Sequence, residues 1–148
     1  MKAITIKQPW ASLIAWGVKD VENRTWRTNF RGRVLIHAGA QWYQNKNKPS
    51  TILLTEEQRC LMPDRRHISA MFYNDLPLSA IIGEVEIVDC VKNYPSVWAI
   101  DGHWHWVLKN AVLYPEPIPS KGALSFWTPS NDVLKIVKEH QEKAHQSL

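Results

Sequence analysis

Apolar and polar residues alternate from Ala3 to Lys7, the period-2 signature of a short strand. Pro9 then suits the first turn of a helix, where its missing N–H costs nothing, and Trp10, Leu13, Ile14 and Trp16 supply apolar positions at helical spacing up to Gly17. Asp20 to Trp26 carries too many polar residues for a buried helix. It alternates Asp20, Glu22, Arg24 and Trp26 against Val21, Asn23 and Thr25, which predicts an extended segment with its charged side chains on one face. RVLIHA, from Arg33 to Ala38, reads as a compact strand entered through a turn at Arg31 and Gly32. Ala80 to Val91 is the clearest strand, because Ile82, Val85, Ile87, Val88 and Val91 favour the pleated conformation and no proline interrupts them. His103 to Tyr114 predicts another strand. Pro115, Pro117 and Pro119 then predict a rigid extended link, Gly122 a turn, and Leu124 to Trp127 a last short strand.

From Ser130 the spacing changes. Ser130 can cap, and Val133, Leu134, Ile136, Val137 and His140 mark one face of a helix reaching about residue 145. Between residues 40 and 77 the pattern is weakest. A polar patch, QNKNKPS, precedes a capped helix from Thr55 through Cys60 and Leu61, with a continuation toward Tyr73 that the pattern leaves open. Short strands with few long helices between them, and one terminal helix, predict an α+β barrel rather than a parallel βαβ sheet. A chain of 148 residues fits one such domain, 1–148, with an insertion at about 40–77 and a C-terminal helix at about 130–145.

Composition changes this picture only in places. No apolar run approaches the roughly 20 residues that a bilayer requires, and the N-terminus lacks an export signal, so the expected location is the cytoplasm. Cys60 and Cys90 form no CxxC pair, which argues against a disulfide framework and a structural zinc site. The distribution of charge is more informative than the net +4. Residues 1–33 hold seven Lys and Arg against Asp20 and Glu22, a net +5, while the remaining chain carries 11 cations and 12 carboxylates. The excess positive charge sits in the first quarter and predicts an anionic partner there, such as a phosphate backbone.

Several spaced stretches resemble the ASCH domain family. They are Gln8, Pro9, Trp10 and Ala11; Gly17, Lys19, Glu22, Arg24 and Trp26; Gly32 with Ile36 to Ala38; and then the strand IIGEVEIVDC. GHWHWVL at Gly102 to Leu108, Pro115 to Pro117 and Gly122 to Trp127 follow in the family's order. The resemblance spans about residues 3–127. It implies a small PUA-like β-barrel with flanking helices, a cleft near the GxKxxExR segment, and a link to RNA metabolism. Relatives resemble amidohydrolases that deacetylate N4-acetylcytidine, ribonucleases, or parts of coactivator complexes. In the amidohydrolase type, a lysine, a threonine three residues later and a more distant glutamate form the proposed catalytic set. Lys19 matches that lysine, and the threonine position holds Glu22.

On their own chemistry, Lys19, Glu22 and Arg24 are the candidate catalytic residues. A partly buried lysine has a lowered pKa and serves as base or nucleophile, and Arg24, two residues from Glu22 on one strand face, can hold the carboxylate while it orients water or a base amino group. A structural Glu22–Arg24 ion pair is the simpler alternative. Trp10 and Trp26 are candidates for stacking on a nucleobase, with Trp10 the stronger. Arg27, Arg31 and Arg33 suit phosphate contacts. His103 and His105 are expected to share one strand face and line the cleft, with no third ligand spaced to complete a metal site and no cofactor expected. Trp106, His37 and Cys90 read as core. The expected ligand is RNA or a modified nucleoside bound in the cleft, with its metal-free hydrolysis left open. The alternative is a noncatalytic RNA-binding module in RNA metabolism or in transcription or translation regulation.

Overall fold

The computed structural model describes residues 1–43, 54–62 and 76–146. Along the chain these form β1 (Ala3–Gln8), α1 (Trp10–Ala15), β2 (Val21–Arg24), β3 (Gly32–Trp42), α2 (Glu56–Cys60), β4 (Ala80–Val91), β5 (Trp104–Pro119), β6 (Phe126–Trp127) and α3 (Asn131–Gln146). The strands make one sheet in the order β2-β5-β4-β3-β1-β6, antiparallel throughout except for the parallel pair β1–β3. Register shifts at Ile36/His37, Ile81/Gly83, Glu84/Glu86 and Ile87/Asp89 increase the local twist and curl the sheet into a half-barrel. The architecture is α+β, as the pattern predicts, and PUA-like, as the resemblance implies.

Side chains span the open side of the curl. β6 covers β1 only at Ala3 and Ile4, which leaves the Thr5 carbonyl open at the sheet edge. Arg24, on the opposite edge strand β2, donates to that carbonyl at 3.0 Å. Trp106 of β5 also stacks on Phe126 of β6 with ring centres 5.5 Å apart. The interior is filled by Ile4, Ile6, Ile36, Val85, Ile87 and Trp106, with Ala11 and Ile14 of α1 packed among them. Fully burying each such aliphatic side chain stabilises the fold by about 1.5–3 kcal/mol. On the other face, Val133, Leu134 and Val137 of α3 pack on Leu35, Ile81, Tyr114 and Ile118.

Three elements differ from expectation. The proline-rich stretch is not a link, because β5 continues through Pro115 and Pro117 to Pro119 and pairs with β4 as far as Ala80↔Pro119. β2 pairs with β5 only from Trp104 to Val107, so the prolines lie where β5 is locally an edge strand and a missing N–H breaks no ladder. Ile136 is 41% exposed, one position off the buried stripe of α3. His103 precedes β5 instead of lying in it. The 55–61 helix is present as α2, with Thr55 and Gln58 forming a reciprocal capping box. The polar patch at 44–50 and the continuation toward Tyr73 lie outside the described residues. No described helix is long and apolar enough to cross a membrane.

Candidate functional site

α1 ends at Gly17, whose φ of +77° is a conformation glycine adopts without strain. The turn carries the amides of both Val18 and Lys19 back to the Leu13 carbonyl, each at 3.0 Å. Lys19 is thereby sent inward and is 5% exposed. Its Nζ lies 5.4 Å from the Trp10 ring centre and 5.6 Å from that of Trp98. Both distances are within reach of a cation–π attraction, which partly replaces lost hydration. Burial pushes the Lys19 ammonium below the usual lysine range, against the pull of Glu22 and then Asp20. Among the described residues Nζ has no hydrogen-bond or ion-pair partner.

β2 follows directly. Glu22 is buried and its Oε2 accepts from Arg24 Nη2 at 3.0 Å and Nε at 3.3 Å. The Arg24 guanidinium is also held over Trp106, 5.7 Å from the ring centre. Arg24 therefore serves two purposes at once, fixing one carboxylate oxygen and joining the two edges of the sheet. Glu22 Oε1 has no hydrogen bond among the described residues.

The opposite wall comes from the loop between β4 and β5. Side chains pin it, Gln58 among them, whose Nε2 donates to the Val97 carbonyl at 2.8 Å. Asn23 donates from Nδ2 to the Trp98 carbonyl at 2.9 Å and accepts the Ile100 amide at Oδ1, also at 2.9 Å. The Asp20 carboxylate accepts from the Ser96 hydroxyl, whose oxygen takes the Trp98 amide at 3.1 Å. His105 accepts the Tyr94 amide at Nδ1, so its proton lies on Nε2, which donates to the Ile100 carbonyl at 2.8 Å. Trp10, Lys19, Glu22 and Asn23 line a cavity of about 190 Å³ together with Trp98, Ile100, His103, Tyr43 and Gln58. Trp10 meets Tyr43 edge-on at 5.3 Å and Trp98 at 6.4 Å. Trp98 Nε1 and His103 Nδ1 are both buried with no hydrogen-bond partner among the described residues. Unsatisfied buried polar atoms are rare in a folded chain, and two of them line this one pocket.

The family model described as the ASCH domain matches residues 4–124. This chain belongs to the ASCH domain family. Activating signal cointegrator 1 from Homo sapiens is 28% identical over 98% of this chain, and the Mus musculus protein of the same name is 27% identical over the same share. The chain spans about a quarter of the length of these relatives, 25% in each.

Within this ASCH domain the predicted site residues fall into three groups. Lys19, Glu22, Trp10 and His103 meet in the pocket, and Arg24 touches it through Glu22. His105 does not line it but holds the wall loop from beneath. Trp26, Arg27, Arg31 and Arg33 lie elsewhere. Trp26, 37% exposed, sits edge-on to Trp106 at 4.7 Å at the mouth of the half-barrel. Arg31 donates to the carbonyls of Thr28 and Phe30 and lies 3.8 Å from Asp89. Arg33 pairs with Glu84 at 2.8 Å across β3 and β4. Arg27 stands over Trp104, 5.8 Å from its ring centre. Asn23, Tyr43, Gln58, Trp98 and Ile100 were missed by sequence reasoning. The signal for Trp98 was a large aromatic in an otherwise loop-like stretch, YPSVWAI.

Proposed function

We propose that the Lys19 pocket binds a single unpaired nucleobase, carried by RNA or by a modified nucleoside. The observation that carries this reading is a buried cation flanked by two indoles, with a half-free carboxylate and two unpartnered polar atoms in the same wall. A flat heteroaromatic ring matches all of it, since its π-face suits Trp10 and Trp98 while its edge offers donors and acceptors to Glu22, His103 and the Trp98 indole N–H. The cavity, about 190 Å³, is below the roughly 300–1,000 Å³ typical of drug-sized ligand sites, which favours one ring system over a duplex. Titration of nucleosides and short single-stranded RNA, followed by calorimetry, tests the reading. Trp10→Ala is expected to weaken binding by about 1–3 kcal/mol, the usual worth of one stacked base. Equal affinity in wild type and variant would remove the pocket as the site.

A second reading, hydrolysis of the bound nucleoside or RNA, is favoured by the lowered pKa of Lys19 beside Glu22. A lysine that gives up its proton readily, next to a carboxylate with one oxygen free, is an acid–base pair that binding alone does not require. N4-acetylcytidine and a structured RNA are the substrates to try, with products followed by chromatography in the presence of a chelator. Lys19→Ala and Glu22→Gln should each abolish turnover without unfolding the protein. Binding without turnover by the wild type would instead support the noncatalytic module. The name of the two cointegrator relatives, which describes a signalling role for those proteins, fits that alternative.

A further inference from the structure

Of the four arginines in the first 33 residues, Arg24, Arg31 and Arg33 each face a carboxylate, from Glu22, Asp89 and Glu84 respectively. Arg27 faces none among the described residues. It converges instead with Lys92, from the far end of β4, on one indole: Arg27 lies 5.8 Å and Lys92 5.0 Å from the Trp104 ring centre. Lys92 likewise has no ion pair among the described residues, and both cations are exposed. Two like charges gathered on one ring repel each other, and among the described residues no carboxylate lies within ion-pair distance to offset them, which suits an anionic partner. Its location is informative. Trp104 directly follows His103 of the pocket wall and pairs with Arg24, two residues along β2 from Glu22. That is roughly 7 Å along a strand.

We propose that Arg27, Lys92 and Trp104 form a backbone subsite that takes the phosphates next to the base held in the Lys19 pocket, so that the ligand is a phosphodiester-linked strand. The inference rests on the pocket reading and extends it, because a free nucleoside would leave these cations unused. Trp104 is half-buried against the barrel interior and is the platform over which both cations stand. Phosphate contacts of this kind position a strand without reading its sequence.

The test compares wild type, Arg27→Gln/Lys92→Gln and Trp10→Ala against the four ribonucleosides, their 5′-monophosphates and a mixed-sequence RNA hexamer over a range of salt. The double variant should bind the hexamer at least tenfold more weakly, with the log–log salt slope reduced by about 1.4, or about 0.7 for each phosphate no longer neutralised. Its nucleoside affinity and melting temperature should not change. An unchanged hexamer affinity and slope would overturn the proposal, as would an equal loss for the 5′-monophosphates, which would make the anion a terminal phosphate. Hexaglutamate competing as well as the hexamer would overturn it in favour of an acidic peptide. Failure of the pocket reading looks different: Trp10→Ala would leave every ligand's affinity unaltered.

Discussion

Glu84 and Lys19 are both buried charged side chains, and the domain treats them in opposite ways. Glu84, 9% exposed on β4, is saturated: Arg33 Nε donates to Oε1 at 2.8 Å, and the Tyr114 hydroxyl and Gln141 Nε2 both donate to Oε2. Lys19, 5% exposed beside β2, has two aromatic faces and no hydrogen-bond partner among the described residues. Both sites pay desolvation, but at Glu84 the hydrogen bonds outweigh it and hold the carboxyl below its usual range. At Lys19 desolvation is the larger effect and destabilises the charged form. The first arrangement ties β3, β4, β5 and α3 together. The second costs stability, as expected when local consistency is given up at a functional site, which is the role proposed for this pocket.

The contrast is best broken at Glu84, where the largest effect is expected. Glu84→Ala leaves Arg33 without its carboxylate and strands the Tyr114 hydroxyl, and should destabilise the protein by roughly 3 kcal/mol, read from denaturant midpoints at constant slope. Nucleoside binding by the folded fraction should be untouched. Lys19→Met is expected to do the reverse, raising stability by about 1 kcal/mol or more, because a buried cation is replaced by a side chain of similar length that needs no hydration.

Titration sharpens the same comparison, and the two signs differ in where they act. The Glu84 carboxyl is more acidic folded than unfolded, so its contribution is fully present above the ordinary value of 4.5 and is lost as pH falls through the depressed folded value. Glu84→Gln should flatten that acid limb of the stability curve. The folded pKa of Lys19 also lies below its unfolded value of 10.5, and for a base this means that the unfolded chain binds more protons between the two. Stability should therefore rise as pH climbs from the depressed value toward 10.5, and Lys19→Met should remove that rise. The smallest effect is expected at Ile136, where Ile136→Lys on the exposed side of α3 should change stability by no more than about 0.5 kcal/mol.

How much of this was legible in the sequence depended on whether the cause was local. The run from Ala80 to Val91 shows β-branched residues without a proline, and β4 has the same bounds. The helix capped by Ser130 and the short strand ahead of α1 were legible for the same reason. Pro115, Pro117 and Pro119 misled because their tolerance depends on where β2 stops pairing with β5, which nothing near the prolines encodes. The site divided along the same line. Lys19 and Glu22 share a short segment with Trp10 close by, and they do meet in space. Trp98, Ile100 and His103 arrive on a loop held by Asp20, Asn23 and His105, through hydrogen bonds between groups far apart in the chain. Arg33 looked available because its partner lies 51 residues away and is set by the β3–β4 register.

The central claim is that the unpartnered burial of Lys19 serves a ligand, and a calorimetric titration of Lys19→Met with a single-stranded RNA hexamer tests it most directly. The variant should fold at least as stably as wild type yet bind the hexamer at least tenfold more weakly, since the pocket loses the Lys19 charge while its aromatic walls remain. A folded Lys19→Met protein with wild-type affinity would contradict the account.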